Sequence, residues 1–72
     1  MESYRIKRTT IALVQENQRH VAYTVPINSV VSLAEGKSLN GSKLVEVIWN
    51  GQQVLMFAQD LRTHTSRLDD IE

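Results

Sequence analysis

There is no cysteine among the 72 residues, which excludes disulfides, thiol catalysis and thiolate metal sites. A chain this short makes one domain, and it must be stabilised by its core alone or with a partner's help, because burial is marginal at this size. The composition fits a reducing compartment, and a cytoplasmic location is expected. Long apolar runs are also missing. None approaches the roughly 18 to 20 residues of a membrane-spanning helix, and the polar start, Met1 to Arg8, is not followed by the apolar stretch of a signal peptide. A soluble, unprocessed chain with no membrane partner is expected.

Net charge is absent too, with eight basic against eight acidic side chains, so bulk attraction to nucleic acid has no basis. The local distribution is less even: Arg5, Lys7 and Arg8 crowd the start, and Asp69, Asp70 and Glu72 crowd the end. These read as a polar N-terminal arm over residues 1–8 and an acidic tail over 67–72, flanking a domain over 9–66. Aromatic residues number four, Tyr4, Tyr23, Trp49 and Phe57, which leaves little for stacking bases. A small nucleic-acid-binding domain using Arg5, Lys7, Arg8 and Arg19 is the first alternative reading.

What the chain does have is a strong hairpin signal from Leu44 to Leu61, LVEVIWNGQQVLMFAQDL. Two apolar runs flank Asn50-Gly51, the dipeptide that best supplies the two positive-φ residues of a tight hairpin turn. Pairing outward from the turn sets Trp49 opposite Gln52, Val47 opposite Val54, Val45 opposite Met56 and Leu44 opposite Phe57. Upstream, Thr9 to Val14 and His20 to Pro26 are rich in β-branched residues and predict two strands joined as a hairpin or irregular arm. Pro26 should end the second, and Ile27-Asn28-Ser29 should turn the chain into a strand over Val30 to Ala34. Glu35 to Ser42, which holds a second Asn-Gly pair at Asn40-Gly41, reads as loop. After Phe57, Ala58 to Leu61 predicts one helical turn, with Asp60 as a capping or hydrogen-bonding residue, and a short last strand is expected near Thr63 to Ser66.

This order of elements resembles the small barrel of the Src-homology-three class (SH3-like), over Thr9 to Thr65. Val25 to Leu33 resembles the entry to that barrel's second strand, Leu44 to Trp49 and Gln52 to Phe57 its third and fourth strands, and Ala58 to Leu61 its helical turn. The resemblance implies an all-β, five-stranded barrel, of a bacterial type, with a short helical turn before the last strand. Peptide-binding members carry an aromatic shelf, but the matching positions here hold Leu13 to Gln15, Leu44, Phe57 and Asp60, so binding of proline-rich peptides is not implied. Val54-Leu55-Met56-Phe57 with Leu61-Arg62 also resembles the catalytic stretch of the plasmid-borne trimethoprim-resistant dihydrofolate reductases, oligomeric enzymes with a shared pore. Where that family uses a Gln and a Tyr, this chain has Leu55 and Phe57. An enzyme of that kind is the second alternative.

No catalytic residue, metal ligand or cofactor is nominated. His20 and His64 lack sequence neighbours at ligand spacing and read as surface residues. The informative feature is the two-faced apolar character of the central hairpin. Val45, Val47, Val54 and Met56, joined by Trp49, are expected to meet Ile11, Leu13, Tyr23, Val25, Val31, Leu33 and Leu61 in the core. The opposite face carries Leu44, Ile48, Leu55 and Phe57, where a monomer would place polar groups. Either the chain's own loop covers that face or another chain does. The reading is a non-enzymatic binding or assembly module whose protein-binding residues are Leu44, Ile48, Leu55 and Phe57, with a homo-oligomer as the expected partner state.

Overall fold

Asn50 and Gly51 take φ values of 55° and 74°, and around this turn Leu44–Trp49 and Gln52–Phe57 pair from Trp49↔Gln52 to Leu44↔Phe57, in the register the sequence implies. The computed structural model describes residues 2–37, 39 and 43–68. Its elements are β1 (Ser3–Ile6), β2 (Thr10–Glu16), β3 (Arg19–Val25), β4 (Val30–Leu33), β5 (Leu44–Trp49), β6 (Gln52–Phe57), α1 (Ala58–Thr63) and β7 (Thr65–Leu68). The strands form one antiparallel sheet in the order β3-β2-β6-β5-β4-β1-β7.

The all-β expectation holds, but the strands number seven instead of five. One of the additional strands, β1, lies within the segment expected to be a polar arm. Tyr4 and Ile6 are 5% and 0% exposed, so the short alternation Ser3-Tyr4-Arg5-Ile6 points two large side chains into the core while Arg5 stays outside. The strand pairs with β4 on one side and β7 on the other. The count rises again because the expected hairpin or irregular arm is two full strands, β2 and β3, joined by a tight turn in which Asn17 and Gln18 adopt φ of 51° and 66°. At Pro26 the strand ends as expected. Ser29 N–H donates to the Pro26 carbonyl at 3.2 Å, and Asn28 takes φ of 76° in the turn between them.

The core gathers Tyr4, Ile6, Ala12, Val14, Val25, Val31, Leu33, Val45, Val47, Val54, Met56, Ala58 and Leu61, with Leu39 and Trp49 packed against it. Helix α1 is six residues long and turns Ala58 and Leu61 inward. Three expected core residues lie elsewhere: Ile11 and Tyr23 are 45% and 41% exposed, and Leu13 is half-buried. In β2 the inward residues are Thr10, Ala12 and Val14. The pairing Ala12↔Met56 explains the choice, because the small residue makes room for the long one across the same pleat. Asn40-Gly41 and Asp69 to Glu72 lie outside the described residues.

Candidate functional site on the outer sheet face

The outward residues of four neighbouring strands build a partly apolar surface. Alternation turns Ile11, Leu13 and Gln15 outward on β2, because Thr10, Ala12 and Val14 are buried. The same rule turns Leu55 outward on β6 between buried Val54 and Met56, with Gln53 and Phe57 to either side. On β5 it leaves Leu44, Glu46 and Ile48 outside. Register brings them together: Leu13 stands opposite Leu55, Leu55 opposite Glu46, Leu44 opposite Phe57, and Ile48 between Gln53 and Ser32. Ala22 of β3 flanks Leu13 on its other side.

All four residues expected to bind protein therefore lie on one face. Leu44 is exposed, whereas Ile48, Leu55 and Phe57 are half-buried by their neighbours. Sequence reasoning missed Ile11 and Leu13, which extend the face onto β2. The signal that could have found them is that a strand apolar on both faces leaves its inward side to be chosen by the partner strand. A shallow concavity of about 300 Å³ crosses the surface, with Leu13 and Leu55 beside Gln15, His20, Glu46 and Gln53. At one border the Lys37 ammonium lies 3.5 Å from the Glu46 carboxylate. No described strand or helix lies over the face: α1 caps the core side through Ala58 and Leu61, and Leu39 packs against the core.

The other candidate groups are scattered. His20 is near one end of the β2–β3 hairpin, and His64 follows α1 near the opposite end, where its Nδ1 is 3.8 Å from Asp60 Oδ1. Asp60 accepts a hydrogen bond from the Thr10 hydroxyl at 2.8 Å, so it ties α1 to β2 instead of capping the helix, whose N-cap Phe57 makes no side-chain bond. Among the described residues no three His, Asp or Glu come together as metal ligands. Lys7 and Arg8 adjoin each other, with both backbone N–H groups donating to the His64 carbonyl at 2.8 and 3.1 Å. Arg19 lies at the far end of β2 from them, roughly 20 Å away along a strand of this length, so the four cations do not form one patch.

The two described tyrosines titrate above the ordinary phenol range. Burial is the main cause at Tyr4, followed by its hydrogen bond to Glu2 at 2.7 Å, while at the exposed Tyr23 the cause is its hydrogen bond to Glu16 at 2.7 Å. No helix is long and apolar enough to cross a membrane among the described residues. Compared with protein-family models, curated proteins and solved structures, the chain matches none.

Proposed function

We propose that the chain is an SH3-like small barrel acting as a non-enzymatic assembly module, which self-associates through the outer face of its central hairpin. The strand order supports the fold reading. Strands β4, β5 and β6 form a meander, α1 follows, and β7 returns to pair with β1, an order that supports a five-stranded unit β6-β5-β4-β1-β7 whose first strand is β1 and not the strand from Thr9 to Val14 expected from the sequence, with the β2–β3 hairpin between its first and second strands.

The observation that carries the functional reading is the placement of Leu13 beside Leu55, with Ile11, Leu44, Ile48 and Phe57 around them on a face that no described element covers. Fully burying an exposed aliphatic side chain contributes about 1.5 to 3 kcal/mol. Ile48, Leu55 and Phe57 are already partly covered and would gain less, yet the combined gain is large beside the few kcal/mol of net stability a domain this small retains. Closed symmetric dimers are the commonest way for a chain to cover such a face with its own copy. Native mass spectrometry at micromolar concentration tests the reading: a dimer or tetramer is expected, and a monomer across the accessible range would refute it.

A further inference from the structure

Alternation and register set the outward residues of β3, β2, β6 and β5 in levels across the sheet. Leu13 of β2 stands level with Leu55 of β6, with Ala22 of β3 beyond the one and Glu46 of β5 beyond the other. In the antiparallel register that this pair sets, Ile11 falls level with Phe57 on one side and Gln15 with Gln53 on the other. The two central strands therefore present the same outward order, a large apolar side chain, a leucine and a glutamine: Ile11-Leu13-Gln15 on β2 and Phe57-Leu55-Gln53 on β6. Antiparallel pairing does not require this. It arises only because the two sequences run in opposite order along the chain.

A two-fold axis that joins two copies through one face lies in the plane between them. Packed sheets keep their strands aligned when that axis runs along the strands or across them. An axis along the strands, between β2 and β6, places β2 of each copy over β6 of the other with the levels unchanged. Ile11 then meets Phe57 of the mate, Leu13 meets Leu55, and Gln15 meets Gln53, whose side-chain amides each hold both donors and an acceptor. Glu46 meets the small Ala22 and keeps Lys37, whose ammonium lies at 3.5 Å. An axis across the strands through the leucine level places each strand over its own copy, reversed. Ile11 would meet Gln15, Phe57 would meet Gln53, and Glu46 would meet Glu46, two like charges desolvated together. Sliding that axis toward Ile11 removes the clash but leaves the glutamine level outside the joint.

We infer that the outer face pairs with a second copy of this chain about a two-fold axis that runs along the strands between β2 and β6. The inference rests on the self-association reading and deepens it by fixing which residues meet. All of the face is covered: Leu44 and Ile48 fall opposite Thr24 and His20 of the mate, mixed pairs that suit a rim. The shallow concavity lies where the four glutamines of the pair meet, and their length spans it. Four strands about 4.8 Å apart, six residues long at about 3.4 Å each, present roughly 400 Å² in projection per copy, which places the joint among small, weakly associating interfaces. A foreign partner would need an apolar strip but not the repeated order on β2 and β6.

Isotope-filtered nuclear Overhauser spectra of a mixture of ¹³C-labelled and unlabelled chains, at a concentration where sedimentation shows the oligomer, test the pairing because they record contacts between copies only. Contacts are expected from the Ile11 methyls to the Phe57 ring and between the Gln15 and Gln53 side chains. Exchanging two exposed residues, Ile11→Gln together with Gln15→Ile, keeps the composition of the face and leaves the core untouched, yet reverses the order on β2 alone. It is expected to weaken association roughly tenfold or more in sedimentation. Contacts from Ile11 to Leu13 or Gln15 of the mate in place of Phe57, or undiminished association of the exchanged variant, would overturn this axis while association through the face stands. An oligomer with no contact from these residues, or a monomer at every concentration, overturns both.

Discussion

The Thr10 hydroxyl donates to Asp60 Oδ2 at 2.8 Å, joining the start of β2 to the helical turn fifty residues later. Thr10 is 4% exposed, so its hydroxyl has been withdrawn from water and depends on this partner. Thr10→Val keeps the shape and leaves the carboxylate without its donor. A loss of about 1 to 3 kcal/mol is expected in urea unfolding. An unchanged midpoint would mean that water serves Asp60 equally well.

Two hairpin turns should respond in opposite directions. Gly51 sits at φ of 74° with open space around its Cβ direction, so Gly51→Val is opposed by backbone strain alone, and about 1 to 3 kcal/mol should be lost. Gln18 sits at φ of 66°, where a side chain is disfavoured. Gln18→Gly should relieve about 1 kcal/mol, less what the more mobile unfolded chain takes back. Thermal melts of the two variants check both signs, and a destabilised Gln18→Gly would show that its side chain contributes more than its strain.

Val47 and Met56 are fully buried on neighbouring strands. Val47→Ala and Met56→Ala should each cost about 2 to 4 kcal/mol in chemical denaturation. Losses well under 1 kcal/mol at both would place the core on the other face of the hairpin.

How far the sequence reveals this fold depends on how many independent signals each strand carries. The β5–β6 hairpin was fully legible because the turn dipeptide and the alternation of Val45, Val47, Val54 and Met56 agree on one register. β2 was legible as a strand but not as a surface. Its larger side chains, Ile11 and Leu13, suggested an inward face, and only the distant pairing with β6 makes Ala12 the better neighbour for Met56. β1 offered two apolar residues among Glu2, Arg5, Lys7 and Arg8, too short an alternation to stand out from a polar arm. The same limit applied to the candidate face. Leu44, Ile48, Leu55 and Phe57 could be read from one hairpin, whereas Ile11 and Leu13 join them only through contacts some forty residues apart in the chain.

Alkaline pH should expose the role of Tyr4. Its phenol is held above the ordinary range by burial and by Glu2, with Arg67 acting in the other direction. The folded state therefore favours the neutral phenol, and the unfolded chain ionises first. That contribution is fully present below the unfolded phenol value near 10 and is lost as the pH rises through the raised folded value. Tyr4→Phe keeps the ring and removes the titration, so its stability should fall less steeply above about pH 10 than that of the wild type. Tyr23 is present in both proteins and cancels. Parallel curves would show that the Tyr4 phenol ionises equally in both states.

Sedimentation of the wild type and of Leu55→Glu, from low to high micromolar concentration, tests the assembly reading most directly. Leu55 is outward and half-buried, so a carboxylate there should remain hydrated in a folded monomer but be desolvated in an interface. The expected result is an oligomeric wild type and a folded, monomeric Leu55→Glu with a lower midpoint of unfolding. A wild type that sediments as a monomer at the highest concentration, with Leu55→Glu equally stable, would contradict the reading and leave the outer face as ordinary surface.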